Sequence, residues 1–332
     1  MAKDFHILAL SGGGFRGLYT ATILAELEKV YKKPFAQAFD LICGTSIGGI
    51  LALGLAAEVP ATKLQEIFLE RGKEIFKPKL SKFDYFLWKW KGVSCKAVYS
   101  QQALKDVLLE FFEGKTIGDL KHRVLIPTVS CTTGLGKFLK TPHHPTFCRD
   151  CVWPLVDVAL ATSAAPTYFP IFENKFGRFV DGGLVGNSPG LFGYHEAKHF
   201  LNDDGGLNIR VLSIGTANQG FGLSGSFHTD GGFLKWGSNL FDLLLSAQDG
   251  STEYILRHLL GDNVCHINVQ PSSEQSQEIG LDKADDDAIR VLKELAMDSV
   301  QKLLGKPSID FFLNYQAEPP TFYYGSNKNV GD

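Results

Sequence analysis

Charge of one sign is what this 332-residue chain has little of: 33 Lys and Arg stand against 36 Asp and Glu, a formal net charge of −3. No global basic field exists to attract nucleic acid or an anionic membrane, so a nucleic-acid polymer is excluded as the main partner, while local basic patches are not. Long apolar runs are missing too. The longest, Ile47 to Ala57, is too short to span a bilayer. The N-terminus passes from Met1 through His6 straight into a strand-like segment, without the charged and then apolar regions of a secretory leader. Cys43, Cys95, Cys131, Cys148, Cys151 and Cys265 are scattered and form no dense disulfide framework. Reduced thiols in the cytoplasm are the expected state. There is no internal repeat, low-complexity stretch or linker. Hydrophobic residues at 44% and charged residues at 21% suit a soluble globular protein with a sizeable core.

The apolar pattern predicts an α/β fold. Residues 6–10 form a short buried strand that ends in Ser11 and three glycines. Beyond Gly17, Tyr19, Ile23, Leu27 and Val30 recur at helical spacing up to Pro34. A second strand, Phe39 to Cys43, enters a glycine-flanked turn and an apolar helix to about Ala57. Strand, loop, helix, repeated, is the pattern of a mostly parallel sheet with helices on both faces. Further strands are predicted at 123–130, 178–180, 209–214 and 264–269. Helices are predicted at 61–76, 100–112, 154–162, 189–201, 236–260 and 284–304. One domain over 5–310 is expected, followed by an irregular tail over 311–332.

Gly44-x-Ser46-x-Gly48 sits where a strand becomes a helix. A serine on such a turn projects its hydroxyl outward, small neighbours let the flanking elements close around it, and the helix N-terminus favours developing negative charge. The string alone is weak among 35 glycines, and a plain structural turn would use the same residues. Gly12-Gly13-Gly14-Phe15-Arg16-Gly17 has two functional readings. It satisfies the dinucleotide fingerprint, following a strand and opening a helix. It also suits an oxyanion hole, with side-chain-free amides converging on a tetrahedral oxyanion and Arg16 adding charge or anchoring the loop. A nucleotide site gives no reason for a serine elbow on the next strand, whereas acyl transfer needs both parts, so the oxyanion reading is preferred over a nicotinamide-dependent oxidoreductase.

Asp181, in Phe179-Val180-Asp181-Gly182-Gly183, ends a short strand and could take the Ser46 proton. In water an aspartate is a feeble base; burial and direct contact with the serine would offset that. The rival is a Ser-Asp-His triad of general ester specificity, for which His266 is the best-placed late histidine. His195 and His199, four apart on one predicted helix, read as surface or packing residues.

At this point the residues resemble a known family. The 12–17 loop, Gly44-Thr45-Ser46-Ile47-Gly48-Gly49 and Asp181-Gly182-Gly183 are similar to the three signature blocks of patatin-like phospholipases. Ala161 to Pro170 and Val211 to Thr216 resemble further blocks, so the likeness covers about residues 5–216 in order. It implies the patatin-like three-layer fold and a Ser46–Asp181 dyad. It also implies an oxyanion hole from Gly12, Gly13, Gly14 and Arg16, an elbow from Gly44, Ile47 and Gly48, and hydrolysis of phospholipid acyl esters through an acyl-enzyme, with neither cofactor nor metal. The compact layout is similar to that of bacterial members. Some of these are antiphage effectors switched on by a cyclic dinucleotide, which would then be a partner of this chain as well. A non-catalytic module on the same scaffold is disfavoured by the intact Ser46 and Asp181. The oligomeric state is not indicated.

Three other constellations stand out. Phe83 to Lys91 mixes five aromatic side chains with lysines, which suits docking at a membrane interface or packing into the core. His143-His144 with Cys148 and Cys151 has zinc-ligand types but no second half of a finger. Asp285-Asp286-Asp287 reads as the cap and dipole partner of a following helix.

Overall fold

Parallel strands must be joined by crossovers, and the chain supplies that alternation from its first residues. The computed structural model describes all residues except 1–2, 82–83, 86–95, 203–204, 219, 221–229, 231–235, 237–238 and 331–332. Strand β1 (Lys3–Leu10) leads through a single 3-10 turn into helix α1 (Gly17–Tyr31), and β2 (Leu41–Gly44) leads into α2 (Ile47–Ala56). A broken helix follows: α3 (Ala61–Glu66), a π-helical turn (Ile67–Arg71) and α4 (Gly72–Ile75). Next come α5 (Gln101–Phe112), β3 (Val124–Ser130), β4 (Gly136–Lys140) and α6 (Leu155–Thr162). They are succeeded by β5 (Phe172–Asn174), β6 (Gly177–Asp181), α7 (Gly190–Phe200), β7 (Leu207–Ile214) and α8 (Asn239–Leu260). The chain closes with β8 (Val264–Ile267), α9 (Ser273–Glu278), α10 (Asp286–Leu303) and α11 (Pro307–Asn314).

The described strands form one eight-stranded sheet in the order β5-β6-β3-β2-β1-β7-β8, with β4 also paired to β3. The β3-β2-β1-β7-β8 portion is parallel; β4, β5 and β6 pair antiparallel. Leu10 lies opposite both Gly44 and Ile214, so the loops after β1, β2 and β7 open along one edge. Cys43 pairs with Leu125, and Thr128, three residues further along β3, pairs with Asp181. That register sets Asp181 level with the turn that follows β2. The register brings the two loops together.

Burial on both faces explains the continuous apolar reading of β1. Leu8 and Leu10 join the large core beneath α1, α2 and α6, while Phe5, Ile7 and Ala9 pack with Ala197 of α7 and Leu256 of α8. Helix α2 is buried from Gly48 to Ala56. This accounts for the longest apolar run as core rather than membrane span. No described helix is long and apolar enough to cross a membrane.

Two expectations are corrected. The single helix read over 61–76 is interrupted by the π-helical turn. The segment from residue 311 is not all irregular, because α11 runs to Asn314 with Ile309, Phe312 and Leu313 buried. Beyond it the described residues lack regular structure but are tied down. The Tyr315 hydroxyl donates to Asp40 at 2.9 Å, the Ala317 amide to the Gln37 carbonyl at 2.9 Å and the Tyr323 amide to the Pro142 carbonyl at 2.8 Å. The triple aspartate does cap a helix: Asp285 Oδ1 accepts from the Ala288 amide at 2.9 Å at the start of α10.

Candidate active site

Ser46 adopts φ +54° and ψ −124°, a conformation that costs a non-glycine residue energy and persists only when its surroundings fix it. Two contacts do so. The Ser46 amide donates to Thr162 Oγ1 at 3.0 Å, and that hydroxyl donates onward to the Pro127 carbonyl at 2.6 Å. The helix behind it can close only because Gly48 has no side chain; a Cβ there would stand 2.2 Å from the Leu10 carbonyl oxygen. The Ser46 hydroxyl then points at Asp181 and donates to Oδ2 at 2.7 Å. Asp181 itself is held by its amide, which donates to the Ala164 carbonyl at 3.0 Å, and by the Gly183 amide, which donates to Oδ1 at 2.7 Å. Burial raises the Asp181 pKa to about 6, against the opposing pull of the Gly183 and Ser46 hydrogen bonds. The carboxylate is a stronger base than in water.

The glycine loop faces this pair, but its parts differ in role. Gly12 donates its amide to the Asn187 carbonyl at 3.1 Å, which corrects the expectation that it offers an N–H to substrate. Its carbonyl is held by Thr216 Oγ1 at 3.1 Å and, at 3.4 Å, by the Asn187 amide group. The Gly13 and Gly14 amides have no acceptor among the described residues, and both residues line the cavity above Ser46. Gly14 has φ +57°, which suits glycine, and a Cβ there would strike the Leu281 carbonyl oxygen at 2.1 Å. Arg16 does not line the cavity. Its Nη1 donates to Asn218 Oδ1 at 3.3 Å, and burial lowers its pKa against the counter-pull of Asp242 and Asp249. Arg16 therefore anchors the loop from behind and does not face the reacting centre.

Sequence reasoning missed that backing layer. Asn187 spans from the loop to Asp249 on α8, donating to its carboxylate at 2.9 and 3.1 Å. Burial lifts Asp249 to about 6 as well, with Asn187 and Asn218 pulling the other way. Thr162 and Thr216 lie in blocks that the resemblance picked out, yet only the fold shows what their hydroxyls hold. Asn187 and Asp249 carry no local sequence signal.

Around Ser46 and Asp181 the cavity is overwhelmingly apolar, walled by Phe15, Ile50, Leu51, Phe68, Ile75, Phe76, Leu104, Leu108 and Phe169. The π-helical turn has a use here, since Ile67 and Phe68 both face the cavity. No histidine is among the described residues that line it. His266 sits on β8 with Nε2 3.8 Å from Glu253, away from the pair, which removes it as the third member of a triad. His195 and His199 lie against each other on α7, with ring centroids 4.5 Å apart and planes tilted by 40°, and are exposed. His143 is buried with both ring nitrogens engaged, by Thr141 Oγ1 at 2.8 Å and Glu196 Oε1 at 3.0 Å, and so has no free ring nitrogen to share a metal with Cys148 and Cys151. Of the aromatic segment Phe83 to Lys91, only Asp84 and Tyr85 lie within the described residues; Tyr85 packs against the main core.

A three-layer α/β fold, an elbow serine bonded to a carboxylate and a greasy cavity together have the make-up of a serine hydrolase for apolar acyl groups. The family model described as patatin-like phospholipase matches residues 8–190. The chain is 51% identical over 327 residues to a cGAMP-activated phospholipase of Pseudomonas aeruginosa, covering 98% of this chain and 97% of that one. It is 36% identical over 341 residues to a cGAMP-activated phospholipase of Vibrio cholerae, covering 94% and 95%. The crystal structure of VipD from Legionella pneumophila aligns at a TM-score of 0.40 and 14% identity over 87% of this chain and 67% of that one. The chain belongs to the patatin-like phospholipase family, and the dinucleotide-binding oxidoreductase reading falls.

Proposed function

We propose that this phospholipase cleaves acyl esters of membrane phospholipids with Ser46 as nucleophile and Asp181 as general base and acid. The Ser46 hydroxyl adds to the ester carbonyl as its proton passes to Asp181 Oδ2. The negative oxygen that forms is met by the free Gly13 and Gly14 amides, together with the N-terminus of α2. Collapse breaks the acyl–oxygen bond, the leaving alkoxide takes the proton from Asp181, and the acyl group stays on Ser46. Water then adds to that ester while Asp181 accepts its proton. Collapse releases the fatty acid and returns the proton to Ser46. The observation that carries this reading is the 2.7 Å Ser46–Asp181 hydrogen bond at a cavity walled by apolar side chains.

A cyclic dinucleotide activates the reaction, as the names of the relatives state for those proteins, and with it goes the antiphage effector role that the sequence resemblance implies. The test is mass spectrometry of products from phospholipid vesicles, with and without cGAMP. Free fatty acid that appears with cGAMP and vanishes in Ser46→Ala supports both parts. Equal hydrolysis with and without the nucleotide removes the activation, and hydrolysis that survives Ser46→Ala removes the mechanism.

A further inference from the structure

The glycine loop is gripped from a part of the chain well beyond the residues that match the family model. Between α9 and α10, residues 279–284 cross the loop as an irregular strap. The Leu281 carbonyl accepts from the Phe15 amide at 2.7 Å, and the same oxygen is the atom that a Cβ on Gly14 would strike. Strap and loop therefore touch backbone to backbone at Phe15 and Gly14, and Gly14, with its free amide, lines the same cavity as Ser46. The ends of the strap are fixed. Lys283 Nζ donates to Glu278 at 2.8 Å and to the Gln277 carbonyl at 3.2 Å, and Asp285 caps α10.

A second contact reaches the other half of the site. Asp282 Oδ2 accepts from the Tyr99 hydroxyl at 2.6 Å. Tyr99 is buried, and burial together with the neighbouring Asp282 charge keeps its hydroxyl protonated and donating far into the alkaline range. The Tyr99 ring stacks on Tyr168 with centroids 6.5 Å apart at 15°, and its amide donates to the Tyr168 carbonyl at 2.8 Å. Four residues before Tyr168, the Ala164 carbonyl accepts from the Asp181 amide. A continuous run of contacts thus joins Phe15, Leu281, Asp282, Tyr99 and the loop that seats Asp181.

We propose that the Leu281–Asp282 strap, locked by Tyr99, sets the distance between the Gly13–Gly14 amides and the Ser46–Asp181 pair, so that Asp282 and Tyr99 are positioning residues for hydrolysis. The proposal rests on the acyl-transfer reading above. Neither side chain touches the reacting atoms. Both matter because an oxyanion donor displaced by about 1 Å forfeits much of its effect on the transition state while ground-state binding in the apolar cavity is unchanged.

The test uses the full chain with cGAMP and a soluble aryl ester, with Ser46→Ala as the control. Tyr99→Phe and Asp282→Ala are each expected to lower kcat roughly tenfold to a hundredfold with KM unchanged. The double variant is expected to be no worse than either single change. Asp282→Asn keeps an acceptor for the Tyr99 hydroxyl and should recover most of the rate. Hydrogen exchange of the peptide spanning residues 12–17 should quicken in Asp282→Ala and stay slow in Asp282→Asn. If Asp282→Ala fails to fold, Tyr99→Phe, which keeps the ring, carries both readouts. Wild-type kcat and exchange in Tyr99→Phe would overturn the proposal, as would a loss of kcat that merely follows a fall in Tm. Hydrolysis that persists in Ser46→Ala overturns the acyl-transfer reading instead, and the exchange data still judge the strap.

Discussion

The Ser46 hydroxyl donates to Asp181 Oδ2 across 2.7 Å, and the acceptor carboxylate is only 3% exposed. Because burial lifts its pKa to about 6, the carboxyl group is protonated in mild acid and ionised above it, and a general base must be ionised to act. Hydrolysis of a soluble ester should therefore rise with pH through about 6 and level off near neutrality. Asp249 titrates in the same range, so the limb must persist in Asp249→Asn if Asp181 is its source. A profile that stays flat from about pH 5 to about pH 8 removes Asp181 as the base.

The same burial has a stability consequence of known sign. The folded-state pKa lies above the ordinary value of 3.8, so the folded chain holds this proton more tightly than the unfolded one. Stability contributed by Asp181 is present below about pH 4 and is lost as pH rises through about 6. Asp181→Asn should accordingly be inactive yet more stable than the parent at about pH 8, by roughly 1–3 kcal/mol, with the gap closing near about pH 4. Thermal melts at the two pH values check this. A variant less stable than the parent in alkali would contradict it.

Thr162 holds the strained nucleophile turn, since it accepts the Ser46 amide and donates to the Pro127 carbonyl. Thr162→Val keeps the shape and strands the half-buried Ser46 amide and the buried Pro127 carbonyl, so urea denaturation should show a loss of roughly 2–3 kcal/mol. kcat should fall with it as Ser46 relaxes. Thr162→Ser restores the hydroxyl and should behave nearly as the parent does. Equal behaviour of the Val and Ser variants would show that the hydroxyl does not hold the turn.

Leu108 of α5 is buried and lines the apolar cavity. Leu108→Trp takes up space in that cavity and leaves Ser46 and Asp181 themselves unchanged. The ratio of kcat/KM for palmitoyl over butyryl esters should drop by about tenfold or more, because the longer chain loses its apolar contacts. An unchanged ratio would mean that the acyl chain lies elsewhere.

How much of this was legible in the sequence follows from where each signal resides. Ser46, Asp181 and the 12–17 loop sit on strand ends with short local patterns, and the parallel core follows from apolar runs separated by glycine turns. The strands β4 and β5 are short and partly exposed, so their periodicity is weak. The failure of Gly12 as a donor depends on Asn187, 175 residues away, and the role of Arg16 on Asn218, 202 residues away. Leu281 acts through its carbonyl, which no side-chain pattern announces. Such contacts are set by tertiary register, and only the folded chain brings them together.

The most direct test of a serine–aspartate pair acting without histidine is the rate at which a fluorophosphonate probe labels Ser46, read by peptide mass mapping. Wild type and His266→Ala should label at the same rate and Asp181→Asn should scarcely label. A wild-type rate in Asp181→Asn, or loss of labelling in His266→Ala, would contradict the account.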